Sequence, residues 1–365
     1  MSGGGVRHLY VHLPFCAHRC GYCDFVTVVG RRGGHGAYVD ALLAELALER
    51  SHLAPRLETV FLGGGTPTFT DPVELERLLD ALPAAEEVTV EANPETVSAE
   101  LARLLRRAGV SRVSLGVQSF DPRFLAVLER RAGPDDVRRA VYHLRAASFD
   151  NISFDLLYGI PGQETGDVER DLEEALALGP EHLSCYELEA KPGTRFTHAH
   201  GAELARQADA MEGYFELVVE RLAAAGYRWY ETGNFCRPGR EARHNRAYWL
   251  GRDYLGLGIG AVSTVGGRRW RNKPSLARYA AALAGGSRPP REEEMLSDAV
   301  IRLERLMLGL RLEEGVAFAE VDRALDLDAL RRLERLGLAE RRGQELVLTR
   351  RGRFLGGGVT AELLA

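Results

Sequence analysis

Tyr10-Val11-His12-Leu13-Pro14-Phe15-Cys16-Ala17-His18-Arg19-Cys20-Gly21-Tyr22-Cys23-Asp24-Phe25 is a β-forming run that empties into a loop with three cysteines. Three thiolates are one ligand short of a tetrahedral metal site or a closed four-iron cluster. A [4Fe–4S] cluster on three cysteines leaves one iron open to bind a small molecule and pass it an electron. The spacing of three residues and then two lets a single loop reach three corners of a cubane. Zinc is the competing reading, with His12 or His18 as fourth ligand. Structural zinc sites usually pair two short-spaced motifs, and one is present here.

Working outward, short β-rich runs alternate with amphipathic helical runs. Strand 8–13 precedes helix 38–50, 59–62 precedes 72–82, and 88–91 precedes 99–108. Strand 112–118 leads into two helical stretches through 147, 152–157 precedes 167–178, and 182–188 precedes 205–225. Six βα units predict a parallel sheet, open or curled into a full or partial barrel, over residues 1–225. Residues 226–290 turn aromatic and glycine-rich, as in Tyr227-Arg228-Trp229-Tyr230 and Gly256-Leu257-Gly258-Ile259-Gly260, and should cover one end or edge of that sheet. Residues 291–365 read as helices followed by a short hairpin, a small winged-helix-like domain whose reading is packing or partner contact.

The 365 residues are 45% hydrophobic and 27% charged with a formal net charge of −5, which suits a globular protein and supplies no basic field for nucleic acid. Five cysteines, and no apolar leader in Met1-Ser2-Gly3-Gly4-Gly5-Val6-Arg7, favour thiols in a reducing cytoplasm. No apolar run approaches the ~20 residues of a membrane span. Cys185 and Cys236 read as small buried apolar residues.

In parallel βα architectures, functional groups gather where strands end. Strand one runs into the cysteines, strand two into Gly63-Gly64-Gly65-Thr66-Pro67, strand three into Glu91-Ala92-Asn93-Pro94 and strand four into Gln118-Ser119, while strand five carries Asp155. The glycines would put bare backbone beside a ligand, or simply make a tight turn. Glu91 and Asp155 can accept from an amine or a ribose, Gln118 can do either, and Arg130 can meet a carboxylate; singly, each is more often a cap or a surface residue.

These motifs, with Gly116-Val117-Gln118-Ser119-Phe120 and Asp155-Leu156-Leu157-Tyr158-Gly159-Ile160-Pro161-Gly162, resemble the radical S-adenosylmethionine (SAM) enzymes. Within them the chain is similar to the oxygen-independent coproporphyrinogen III oxidase group over nearly its whole length. The resemblance implies an α/β fold, a partial (β/α)6 TIM-like barrel with a C-terminal domain. It implies that SAM chelates the open iron and that cluster reduction cleaves it to a 5′-deoxyadenosyl radical. Carried over residue by residue, the cluster ligands are Cys16, Cys20 and Cys23. The SAM contacts are Tyr10, Gly64, Gly65, Thr66, Glu91, Gln118, Arg130 and Asp155.

Two branches divide this group, the oxidase and the HemW-type haem chaperones. Phe25 stands where the oxidase has a further cysteine, and only fifteen residues precede Cys16. His244-Asn245-Arg246-Ala247-Tyr248-Trp249 matches the His-Asn-x-x-Tyr-Trp motif associated with haem binding in the chaperone branch. The resemblance therefore implies haem as cargo with His244 as its ligand, haem-accepting proteins that include membrane-associated ones, an electron donor for the cluster and a homodimer. No catalytic residue is assigned, and oxidase turnover is not expected. Ala132 and Val262 depart from the pattern, each standing where a histidine is usual.

Overall fold

The computed structural model describes residues 5–30, 32–189, 191 and 194–364; Met1–Gly4, at the head of the expected 1–225 unit, lie outside the described residues. Strands β1 (His8–Leu13), β2 (Leu57–Gly64), β3 (Ala85–Ala92), β4 (Arg112–Gln118), β5 (Ile152–Tyr158) and β6 (His182–Glu187) pair parallel in sequence order. They alternate with helices that include α1 (His35–Glu49), α2 (Pro72–Ala81), α3 (Ala99–Arg107), α4 (Pro134–Ala146), α5 (Thr165–Leu178) and α6 (Met211–Ala224).

The period-two pattern of each strand sets what faces where. Leu9, Val11 and Leu13 on β1, Val60 and Leu62 on β2, Val113 and Leu115 on β4, and Ile152 and Phe154 on β5 are fully buried in the main core. The alternate positions carry polar groups: Thr59; Thr89 and Glu91; Ser114; Ser153 and Asp155. Register aligns them across the sheet, with Glu91 opposite Ser114, Gly116 opposite Asp155 and Asp155 opposite Ser184. One face is thus an apolar seat for helices and the other a polar interior. Local signals fix the helix starts. Asp71 caps α2 by accepting from Val73 N ahead of Pro72, and Ser98 caps α3 by accepting from Leu101 N.

The sheet is larger than six units. The glycine-rich segment adds β9 (Leu255–Leu257), parallel to β1. At the other edge β7 (Arg228–Glu231) and β8 (Asn234–Cys236) form an antiparallel hairpin against β6, giving nine strands. Between β8 and β9 lies helix α7 (Arg243–Trp249). A separate antiparallel sheet follows, of β10 (Val262–Val265), β11 (Arg268–Asn272) and β12 (Arg291–Met295). Then come α8 (Asp298–Gly309), α9 (Leu327–Arg335), the hairpin β13 (Ala339–Arg342) and β14 (Glu345–Leu348), and α10 (Gly356–Leu363). This last part has its own core of Leu306, Leu330, Leu333, Leu346, Val359 and Leu363. Among the described residues no helix is long and apolar enough to cross a membrane.

Candidate functional site

Cys16, Cys20 and Cys23 border a cavity of about 1150 Å³ at the carboxyl ends of the parallel strands. Gly64, Gly65, Thr66, Glu91, Gln118, Arg130 and Asp155 line it too, so seven of the eight SAM contacts implied by the resemblance share one chamber with the three thiols. All five cysteines are free.

Backbone pairing builds the loop. Gly30 N donates to Cys16 O at 3.0 Å, Cys23 N to Cys20 O at 3.2 Å, and the Arg19 guanidinium to Cys23 O. The end of β2 presses against it, with Gly65 N donating to Leu13 O and Thr66 N to Phe15 O. Gly64 has φ of 110°, and a Cβ there would stand 2.4 Å from the His12 ring; one on Gly65 would stand 2.6 Å from Pro14 O. These glycines are therefore required by the close approach of two chain segments, and both also border the cavity.

A polar network ties the thiols to the strand ends. Thr66 Oγ1 donates to Cys16 Sγ at 3.4 Å, and Arg130 Nη1 lies 3.7 Å from Cys20 Sγ. Arg130 Nη2 donates to Gly116 O and to Asn93 Oδ1, and Asn93 Nδ2 donates to Thr66 Oγ1 at 3.1 Å. Asn93 was missed as a site residue, although it sits on a strand-end run that the βα pattern marks. Gln118, with φ of 69°, holds the left-handed region at a register shift of β4, backbone strain of the kind that clusters at functional sites.

Burial dominates the electrostatics. It pushes the Cys16 and Cys23 thiols up, and pushes Glu91 to about 7 with help from neighbouring Asp155. Glu91 Oε2 accepts from Gly64 N at 3.1 Å. Asp155 is also raised, by burial first, and accepts from Ser114 Oγ. Two carboxyls raised by burial and a guanidinium beside three thiols suit a ligand that brings both charge signs.

Three free thiols on one loop are the donor set a site-open cluster takes; of the two histidines proposed as a fourth zinc ligand, His18 borders this cavity and His12 does not. Among the described residues no three His, Cys, Asp or Glu side chains converge as ligands of one metal ion. His12, a candidate zinc ligand, has Nδ1 engaged by Tyr10 Oη at 3.0 Å and Nε2 by Val26 O at 2.9 Å. Arg130 Nε is buried without a partner, an orphan donor that an anionic group in the cavity would satisfy.

Two expected contacts lie elsewhere. Tyr10 lines a second cavity of about 660 Å³, with its ring stacked on Phe61. Its register partner on β9 is Gly256, whose missing side chain leaves the tyrosine room on that side. His244 lines neither cavity. It is 1% exposed on α7, stacked on Phe61, with Nδ1 2.7 Å from Thr59 Oγ1 and Nε2 2.9 Å from Tyr248 Oη. Burial holds it down at about 3, so the ring is neutral. Both of its nitrogens bond within the protein, so His244, expected as a haem ligand, stands here as a hydrogen-bonded core residue. The departures have places too: Ala132 is buried, and Val262 lines the second cavity.

The C-terminal part enters the site, which its sequence reading as a packing domain did not anticipate. Arg353, Phe354, Thr360 and Leu364 line the cysteine cavity. Arg353 is pinned over the Trp229 ring, 3.7 Å from its centroid, and donates to Trp229 O.

Comparison with known proteins follows this geometry. The Radical SAM superfamily model matches residues 10–175 and the HemN C-terminal domain model matches residues 296–355. The chain is 39% identical to a heme chaperone HemW of Mycobacterium tuberculosis, over 98% of this chain and 94% of that protein. It is 34% identical to that of Bacillus subtilis, over 98% and 99%. Among solved structures, coproporphyrinogen III oxidase (HemN) from Escherichia coli, a radical SAM enzyme, superposes with a TM-score of 0.80 at 23% identity, over 98% of this chain and 90% of that one. At that identity the match speaks for the fold.

Proposed function

The chain belongs to the HemW family of the radical SAM superfamily, and on that premise we propose that it is a haem chaperone carrying a SAM-coordinated [4Fe–4S] cluster. Haem is its cargo and haem-accepting proteins are its partners. The observation that carries the cluster half is the shared chamber of three free thiols and seven implied SAM contacts. The names of the relatives support the haem half.

In this reading Cys16, Cys20 and Cys23 hold the cluster, which when bound supplies one-electron chemistry at its open iron. Thr66, by its hydrogen bond to Cys16, and Arg130, beside Cys20, offset negative charge on the sulfurs. Glu91 and Asp155 accept from the amine or ribose of SAM, and Arg130 Nε has a free proton for its carboxylate. Gln118 is held beside them by its strained backbone. The working division is a barrel over 1–225, a segment completing it over 226–290, and a C-terminal domain over 291–365.

Anaerobic reconstitution tests both halves. The protein should take up iron and acid-labile sulfide in the ratio of a four-iron cluster and bind added haem with a Soret band. Given coproporphyrinogen III, SAM and a reductant, it should leave the porphyrinogen unchanged. Formation of protoporphyrinogen would overturn the chaperone reading in favour of the oxidase, and stoichiometric zinc without sulfide would overturn the cluster.

A further inference from the structure

Three non-glycine residues among those described have positive φ: Gln118, Glu129 and Ser148. Glu129 and Ser148 are helix ends of an ordinary kind, where a left-handed residue and the one after it bond back into the last turn. Glu129 N donates to Ala126 O and Arg130 N to Leu125 O, as Ser148 N does to Arg145 O and Phe149 N to Leu144 O. Gln118 has no helix to end. It is the centre of a three-residue turn in which Ser119 N donates to Val117 O at 2.9 Å. With φ of 69° this is the positive-φ form of the γ-turn, which is rare and strained.

The strained turn has a visible result. Pairing sets Gln118 opposite Leu156, a main-core residue, across the register shift of β4, yet Gln118 lines the cysteine cavity. An irregularity of this type re-aims a side chain. A Cβ on Gly116 would stand 3.0 Å from Gln118 Nε2, 3.4 Å from Arg130 Nη2 and 3.5 Å from Asn93 Oδ1. The amide therefore lies with these two groups over the bare backbone of Gly116. It makes no hydrogen bond among the described residues, so its donor and acceptor are open to the chamber.

Strain persists only where the surroundings impose it, and what imposes this turn lies behind it. Asp171 of α5 is 6% exposed. Its carboxylate accepts from Phe120 N at 2.6 Å and from Ser119 Oγ at 2.7 and 3.0 Å, while Ser119 Oγ accepts from Asp121 N at 3.0 Å. Ser119 is fully buried, and the Phe120 ring packs toward Phe154 in the core. The neighbouring carboxylates Asp121 and Asp167 both pair with Arg123, whereas Asp171 has no ion pair among the described residues. A buried carboxylate without a cation is unfavourable, and this one directs its hydrogen bonds at the two residues that follow the turn.

We propose that Asp171 is a positioning residue for SAM, acting through Gln118. The assignment rests on the reading that the chain binds SAM at the cluster. The carboxylate fixes Ser119 and Phe120, these hold the γ-turn closed, and the turn keeps the Gln118 amide beside Arg130, free to bond the polar groups of the ligand. Without the carboxylate the turn relaxes toward an extended strand end and the amide leaves the chamber. Asp171 borders neither cavity, so binding lost on its removal is lost through the turn.

The test is a double-mutant cycle on the full chain, reconstituted anaerobically with its cluster, with SAM binding read by calorimetry. Asp171→Ala should weaken SAM about tenfold, and Asp171→Asn, which keeps an acceptor for Phe120 N, should restore most of that loss. Gln118→Ala should weaken SAM by a similar factor, and adding Asp171→Ala to it should weaken SAM less than about twofold further. Ser119→Ala removes one hydroxyl from the same corner and keeps the test valid should Asp171→Ala misfold; it too should weaken SAM only when Gln118 is present. Wild-type affinity in Asp171→Ala or Ser119→Ala, losses that multiply in the double variants, or equal losses in Asp171→Asn and Asp171→Ala would overturn the assignment alone. So would loss of iron and sulfide from Ser119→Ala, because the corner would then be acting on the cluster loop. No SAM binding by the cluster-loaded wild type would overturn both the assignment and the reading beneath it.

Discussion

The cysteine cavity is bounded by the carboxyl ends of parallel strands, whereas the aromatic cavity is bounded by one helix, one small antiparallel sheet and the first helix of the C-terminal part. The first gathers two carboxyls and a guanidinium at the strand ends; the second is aromatic, with Arg269 paired to Glu304 and Arg305 to Glu320 along its wall. They meet at Asp24 and Phe25, which border both. The lesson is that a repeated βα frame supplies one chemically dense chamber by construction. A second chamber of different character arises from what closes the open side of that frame.

The largest effect expected is on the first chamber. Cys20→Ala should abolish cluster assembly, read as loss of iron and sulfide, while the second chamber keeps its walls. Iron and sulfide retained in that variant would remove Cys20 from the cluster.

The second chamber can be broken from behind. Glu45 is buried and accepts from Gly258 N at 2.8 Å, from Asn272 Nδ2 at 2.6 Å and from the Tyr279 hydroxyl, fixing the segment that carries Gly260 and Ala261 into the aromatic wall. Glu45→Ala orphans three buried donors and should cost about 3 kcal/mol of stability, seen as a lower Tm, with cluster assembly retained. Burial raises Glu45 from 4.5 to about 7. The folded protein therefore holds a proton that the unfolded chain has already lost. This contribution is full below about pH 4.5 and is lost as pH rises through about 7, so the wild-type Tm should fall across that range and the variant's less steeply.

A smaller change sharpens the first chamber without dismantling it. Glu91, raised to about 7 mainly by burial, is anionic only above that pH. SAM affinity measured by calorimetry should climb as pH passes upward through about 7. Glu91→Gln should flatten the profile and weaken binding about tenfold at high pH, on the order of 1.4 kcal/mol. A variant with the wild-type profile would remove Glu91 from SAM binding.

Legibility in the sequence follows the same division. Strand and helix periods give the parallel frame directly, and the strand ends mark the cysteine cavity, on which Gly64, Thr66, Glu91, Gln118 and Asp155 fall; their reading as SAM contacts came from the resemblance. Tyr10 has the same phase, but strand phase cannot reveal that its lateral neighbour is Gly256. The aromatic cavity has no such frame, because its walls come from segments far apart in sequence with no shared spacing. His244 and Tyr248 did carry a signal: four residues apart, they share a helix face and can bond each other. Read as a haem-ligand motif, the stretch concealed that pairing.

The cysteine cavity has a consequence in time. Cys16 and Thr360, about 340 residues apart, face the same space. At about 5–20 residues per second a ribosome takes roughly 20 to 70 s to go from one to the other. Throughout that interval the nascent cysteine loop lacks the wall that Thr360 and Leu364 supply.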